Sequence, residues 1–495
     1  MMYGEEKSDS LIVAANLANN PQGAESVERR SGAKGNAEQP HMRRTQSRES
    51  MSQRLSRVRE AAKQRKKERF TALFHLLTAE ALENAFLSLS RKAAAGVDGV
   101  RWKDYAENLK VNIADLHRRL HQGSYRAQPG RRHYIPKADG KQRPLGIASL
   151  EDKIVQYALV KILNAVYEND FMGFSYGFRP GRSQHNALDA LATGLVRTNV
   201  NWVLDADISQ FFDKVSHEWL IRFIEHRIGD RRVIRLIRKW LTAGTSEEGE
   251  WRASEEGTPQ GAVISPLLAN IYLHYVFDLW AHQWRRRHAT GNVVMVRYAD
   301  DIVIGFDKRI DAQCFRIAMQ RRLKEFGLTV HPKKTRLMEF GRFAAENRAS
   351  RGKGKPETFN FLGFTHISGK DRSGRFMLIR KTRRDRMTAT LKAIKDGLRK
   401  RWHYSIPEQG KWLRRVVQGY LNYHSVPGNY PMMRKFRIYV TDLWRRALRR
   451  RSQQDDTTWT KANRLAAVWL PKVRVLHPWP VERFTARHPR QEPGA

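Results

Sequence analysis

Val293-Val-Met-Val-Arg-Tyr-Ala-Asp-Asp-Ile-Val-Ile-Gly-Phe306 sets two β-branched, apolar runs on either side of adjacent acids, Asp300 and Asp301. Short runs rich in Val and Ile, interrupted at a turn, predict a hairpin of two buried strands. Carboxylates are costly to bury unless a cation or a hydrogen-bond donor sits on them. The pair is therefore a candidate metal site, and oxygen-only ligands favour Mg²⁺. The same acids could simply end the strands as turn formers, so the rest of the chain has to decide.

Charge narrows the choice. Across 495 residues, Lys+Arg 91 against Asp+Glu 50 gives +41. Spread along most of the chain, that excess points to a polyanionic partner, and to nucleic acid before a membrane surface. A single cysteine, Cys314, excludes an intrachain disulfide and any Cys-paired zinc site and fits a reducing cytoplasm. No apolar run is long enough for a membrane span.

Read in order, residues 1–52 are polar, basic and without periodicity, which predicts a disordered arm. Ser52 to Lys67 has a basic helical pattern, and Phe70 to Leu89 carries apolar residues at helical spacing. Arg131 to Gly146 reads as a hairpin with Asp139-Gly140 at its tip and Lys137, Lys141 and Arg143 on its legs. A long amphipathic helix spans Leu150 to Tyr167, and the loop Ser175-Tyr-Gly-Phe-Arg-Pro-Gly-Arg-Ser183 leads into another helix. In Trp202-Val-Leu-Asp-Ala-Asp-Ile208 the period of two sets Asp205 and Asp207 on one face of a strand. Glu256 to Gly261 is a tight loop, and Ser265-Pro266 opens a core helix in N-cap and N1 roles. Leu328 to Thr335 reads as a strand ending in a basic turn, and Phe359 to Phe364 as another strand. From about Arg380, cationic helices interleave with Trp402, Trp412, Tyr420, Tyr423 and Trp444, a pattern suited to stacking and phosphate contact. The alternative is a helical bundle with a basic solvated face.

Asp207 on one strand, with Asp300 and Asp301 on a hairpin, form a set that nucleotidyl transfer by two metals can use. Lys and Arg side chains suit the charge of an incoming triphosphate.

The order of motifs resembles that of group II intron-encoded reverse transcriptases, also called maturases. The resemblance is carried by Ile135-Pro-Lys137 with Arg143-Pro-Leu-Gly146, Asp207-Ile-Ser-Gln-Phe-Phe-Asp213, Gly257-Thr-Pro-Gln-Gly261, Tyr298-Ala-Asp-Asp301, Phe361-Leu-Gly-Phe364 and Gly419-Tyr-Leu-Asn-Tyr423. It implies an α+β right-hand polymerase: an arm over 1–52, a helical extension over 53–117, fingers and palm over 118–365, an α-helical thumb or maturase domain over 366–452, and a basic tail over 453–495 that is a candidate for nucleic-acid binding. It implies that Asp207, Asp300 and Asp301 are catalytic and hold two Mg²⁺ ions, with Mn²⁺ as a substitute and the Ile208 carbonyl as a further ligand. Lys137, Arg143, Phe211 or preferably Phe212, Gln260 and Lys334 would contact the dNTP, and Phe361, Leu362, Gly363 and Phe364 would grip the primer. Trp402, Trp412, Tyr420 and Tyr423 would bind RNA. Asp205 and Asp213 are expected to be structural. The implied partners are intron RNA, an RNA template with a DNA primer, target DNA and dNTPs, with no membrane; the sequence does not set the oligomeric state. The implied setting is a cytoplasmic, nucleoid-associated ribonucleoprotein of bacterial type.

Three departures from the family pattern stand out. Ala262 occupies a common glycine position, Lys333 a commonly acidic one, and no Cys/His-rich nuclease segment follows, so second-strand cleavage is not expected. The motifs also fit a host-domesticated reverse transcriptase or a splicing factor with a decayed polymerase. The maturase-like segment weighs against the first, and the intact acids against the second.

Overall fold

A computed structural model describes residues 38–136, 142–451 and 457–487. Lys137 and Lys141, the Asp139-Gly140 tip and residues 1–37 lie outside the described residues.

The segment 293–306 is a β-ribbon. Strands β6 (Val293–Tyr298) and β7 (Asp301–Phe306) pair antiparallel, with Tyr298 opposite Asp301 and only Ala299 and Asp300 between them. They join β3 (Trp202–Asp207) and β8 (Arg336–Glu339) in a four-stranded sheet of order β6-β7-β3-β8. The near-continuous apolar runs are explained by burial on both faces: Val293, Val294, Val203, Leu204, Val303 and Ile304 are all in the core. Helices Leu150–Tyr167, Gln184–Arg197 and Ser265–Leu273 contribute Ile162, Leu191 and Ile271 to the same core.

The basic hairpin forms as β1 (Gly130–Pro136) and β2 (Gln142–Ile147), with Ile135 opposite Arg143. It belongs to a sheet of order β2-β1-β4-β5, completed by β4 (Thr245–Glu247) and β5 (Glu250–Arg252). A third sheet, β11-β10-β9, combines β9 (Phe359–Phe361), β10 (Phe364–Lys370) and β11 (Phe376–Thr382), and so continues across residue 365. Beyond it, helices Arg384–Arg399, Ile406–His424, Tyr430–Arg449 and Trp459–Trp469 share a second core that includes Leu398, Leu413, Val417, Phe436, Trp444 and Ala466.

Several expectations need correction. Residues 38–52 are the first part of one helix, Glu38–Gln64. It has no glycine, its proline lies in the first turn where no amide is missed, and Met51, Leu55, Val58 and Ala62 form an apolar seam on the main core. Residues 328–335 are not a strand. Val330 makes an isolated bridge to Ile208, and Pro332, which cannot donate, interrupts the pairing before β8 begins at Arg336. Ser265 is the first helical residue and not the N-cap; its hydroxyl donates to the Pro259 carbonyl at 2.8 Å.

Residues 457–487, within the basic tail, contain two short helices. Thr458 caps Trp459–Trp469 by accepting from Lys461 N, and Pro480–Arg487 packs on Gln184–Arg197. There Arg483 pairs with Asp189, and Phe484 enters the main core. Alternating Pro and Trp obscured these short helices, whose stability comes from docking and not from intrinsic propensity.

Candidate active site

The pairing of β3 with β7 sets Asp207 directly opposite Asp301, and Asp300 occupies the adjoining two-residue turn. Acids almost 100 residues apart in sequence are thus neighbours at one sheet end. Ala299 holds this turn at φ 56°, a left-handed conformation that disfavours a side chain.

Beneath the turn lies a side chain that sequence reasoning missed. Arg297 is 0% exposed, and all of its N–H groups have partners. Nε donates to Asp278 Oδ1 at 2.7 Å and Nη2 to Asp278 Oδ2 at 2.5 Å. Nη2 also donates to Ser175 Oγ at 2.7 Å, and Nη1 to Asn270 Oδ1 at 3.1 Å and to the Ala299 carbonyl at 3.0 Å. Asp278 reaches Arg297 from a π-helical turn, His274–Asp278, that interrupts the helix after Leu273. The signal was available: a lone Arg inside Val293–Tyr298 and a lone Asp in an apolar helix each need a partner when buried.

Burial, then the charges of Asp300, Asp207 and Asp205, push the Asp301 carboxyl up to about 7 although its tip reaches solvent. Burial and Asp207 raise Asp300, against the opposing pull of Arg143 and Lys334. Asp205 is raised to about 6, mainly by burial, with Arg336 opposing. Asp207 Oδ2 accepts from Lys334 Nζ at 2.7 Å. Among the described residues no three His, Cys, Asp or Glu side chains already converge as a ligand set. The donor chemistry fits a divalent cation, since crowded carboxylates need positive charge among them. The Asp207 side chain is instead turned to the Lys334 ammonium.

Around these acids, Phe211 and Phe212 follow a left-handed Gln210 with φ 48°. Phe211 is 2% exposed and packs against Tyr272, so it is withdrawn as a dNTP-contacting candidate; only Phe212 is partly exposed. The Gly257–Gly261 loop wraps this turn, with Thr258 N donating to the Phe212 carbonyl at 2.7 Å and Gln260 Nε2 to Asp213 Oδ1 at 2.7 Å. Gly146 N donates to the Gln260 carbonyl at 2.7 Å, which ties the basic hairpin to the loop. Arg143 is exposed and acts electrostatically on Asp300. Ile208 is buried next to Val330.

Phe361 and Phe364 face each other across the β9–β10 turn and are both buried, so the surface of this segment is Leu362-Gly363, at φ 44° and 79°. Tyr423 OH donates to the Leu362 carbonyl at 2.8 Å, and its ring stacks on Phe364. Replacing Tyr423 with Phe is expected to lower the unfolding free energy by about 1 kcal/mol, read as a shift of the urea midpoint. An unmoved midpoint would show that this bond adds nothing.

Most of the aromatic residues singled out for RNA contact are instead packed. Tyr420 is 8% exposed and stacks on Phe436 with centroids 3.7 Å apart. Trp412 covers Gly397 and carries the Arg401 guanidinium at 4.4 Å. Tyr420 is therefore withdrawn as an open stacking platform, because helical spacing of aromatics built a core there, while Trp412 and Tyr423 are partly exposed. Trp402 is partly exposed.

Residues 135–366 match the family described as reverse transcriptase (RNA-dependent DNA polymerase). Protein YkfC of Escherichia coli (strain K12) is 43% identical over 206 residues, 41% of this chain and 54% of that protein. Group II intron-encoded protein LtrA of Lactococcus lactis subsp. cremoris is 37% identical over 223 residues, 44% of this chain and 37% of that protein. The putative COX1/OXI3 intron 1 protein of Saccharomyces cerevisiae is 26% identical over 393 residues, 66% of this chain and 46% of that protein. The chain thus spans about half the length, or less, of these relatives.

Proposed function

We propose that this chain, which belongs to the group II intron-encoded reverse transcriptases, is an RNA-directed DNA polymerase that also binds its intron RNA and assists splicing and mobility. The observation that carries the reading is the register of Asp207 on Asp301, with Asp300 in the adjoining turn.

In this reading β6-β7-β3-β8 is the palm, β2-β1-β4-β5 lies in the fingers, and the helices from Arg384 to Trp469 are the thumb. The primer 3′-oxygen bonds to the α-phosphorus of a dNTP, the bond from that phosphorus to the bridging oxygen breaks, pyrophosphate leaves and the hydroxyl proton passes to solvent. Divalent cations, Mg²⁺ or Mn²⁺ in its place, would lower the pKa of the attacking hydroxyl and offset charge on the leaving oxygen. Asp207, Asp300, Asp301 and the Ile208 carbonyl are the groups to hold them. Lys334 releases Asp207 and turns to the phosphates, where Arg143 and Lys137 add positive charge. Phe212 lies under the sugar, Gln260 is kept at the nascent pair by Asp213, and Leu362-Gly363 borders the primer. Arg and Lys on the thumb helices and Trp402 face RNA. Target DNA is the expected acceptor after reverse splicing, in a nucleoid-associated ribonucleoprotein.

The test is extension of a DNA primer annealed to an RNA template with dNTPs and Mg²⁺. Template-directed extension abolished by chelator is expected; its absence from the wild-type protein would contradict the reading. RNA affinity is also expected to fall about 10³-fold or more between roughly 50 and 200 mM salt, as six or more phosphate contacts require. A nearly flat salt response would contradict binding through many phosphate contacts.

A further inference from the structure

Phe178 has no part in the motifs used above, yet it is the most unusual residue near the acids. The residue is 52% exposed and its backbone sits at φ 59°, a region a bulky side chain rarely adopts. Strain of that kind persists only where the surroundings over-determine it, and both neighbours are fixed. On one side, Asn270 Nδ2 donates to the Gly177 carbonyl at 2.7 Å, and a Cβ on Gly177 would overlap the Ala299 nitrogen. On the other, buried Arg179 donates from Nη1 to the Met172 and Ser175 carbonyls at 2.8 and 2.9 Å and pairs with Glu168 at 2.9 Å. The loop is thus anchored to the turn that carries Asp300, and through Asn270 to Arg297. Phe178 gains no burial in return: its ring stands in the open, 6.2 Å from Tyr298. Tyr298 in turn sits directly opposite Asp301 in the register of β6 on β7. Phe178 and Tyr298 therefore stand together beside the acids.

We propose that Phe178 is a positioning residue that stacks on the terminal nucleotide of the primer strand and keeps its 3′ end over Asp207, Asp300 and Asp301; this rests on the polymerase reading above. An aromatic face accepts any base, so the contact sets position without selecting sequence. The left-handed backbone coincides with a side chain left exposed beside Tyr298 and the acids. The same strain supplies a control: Phe178→Gly removes the ring while relieving the left-handed backbone.

The experiment uses the full chain and a primer–template duplex with 2-aminopurine either as the primer's 3′-terminal base or as the templating base. Wild type is expected to change the fluorescence of the primer-terminal probe on binding. Phe178→Gly should lose that change and raise Kd for the duplex by about 5- to 150-fold, the range of one base–aromatic stack. Its melting temperature should match or exceed that of wild type. Phe178→Trp should restore both readouts, whereas Phe178→Leu should not. Unchanged Kd and fluorescence in Phe178→Gly would overturn the proposal. So would a lower melting temperature with both readouts intact, which would make the ring a structural wedge, or an effect confined to the templating-base probe. Because fluorescence needs no turnover, failure of wild type to extend the primer would count against the polymerase reading alone.

Discussion

Replacing Asp301 with Asn is expected to cut the single-turnover rate of primer extension by about 10³-fold or more, the effect of withdrawing several kcal/mol of charge stabilisation from a phosphoryl transfer. The fold should survive, because β3, β6 and β7 are held by backbone pairing and apolar contacts that Asn leaves in place. In the cation-free protein the substitution should even stabilise. Burial and three neighbouring acids raise the folded-state Asp301 carboxyl to about 7, above an unfolded value of about 4. A carboxyl raised in the folded state favours folding when protonated, so its unfavourable contribution begins as pH rises past about 4 and is complete above about 7. Wild type without divalent ions should therefore lose melting temperature between pH 5 and pH 8 more than Asp301→Asn does. Added Mg²⁺ should narrow that gap, and should bind less well as pH falls below about 7. An Asp301→Asn protein that extends primers within tenfold of wild type would remove Asp301 from the chemistry.

Replacing Arg297 with Ala is expected to cost about 3–5 kcal/mol of stability, the penalty for leaving a buried charge without its partner. That is a large share of the roughly 5–15 kcal/mol that holds a typical domain together. Asp278 would lose its fork, and the Ala299 carbonyl, Asn270 and Ser175 would lose a donor together. Lys cannot stand in, having three donors on a single nitrogen where five in a planar fork are used. The pair Arg297→Met with Asp278→Leu should recover much of the urea stability, since two apolar side chains of similar volume can replace a buried ion pair. Extension should stay low, because nothing then holds the Ala299 carbonyl in the left-handed turn. Recovery of extension together with stability would show that the turn needs no such anchor, and an unchanged urea midpoint for Arg297→Ala would show that the network carries little.

The β-ribbon was legible in the sequence because burial on both faces leaves unbroken Val/Ile runs, and a two-residue turn has few places to sit. The same holds for β3, where the period of two sets Asp205 and Asp207 on the face opposite Leu204 and Ala206. The pairing of the two regions could be inferred only as a requirement of chemistry, since strand order is a tertiary fact. Arg297 was hidden for another reason: a buried charge looks like an interruption until its partners, in three other segments, are assembled around it. Aromatics at helical spacing misled at Tyr420, because a basic bundle and an RNA-binding surface share one composition and differ only in which way the rings point. The docked helix Pro480–Arg487 was obscured by the prolines around it.

The proposal that the three acids act as one metal-binding set can be tested with crystals grown with Mn²⁺, a dideoxy-terminated primer on its template and the next dNTP. Anomalous scattering should place two ions about 3.5–4 Å apart, bounded by Asp207, Asp300 and Asp301, with Lys334 moved off the Asp207 carboxylate. A map with no ion there, and Lys334 still paired with Asp207 beside a bound nucleotide, would contradict it.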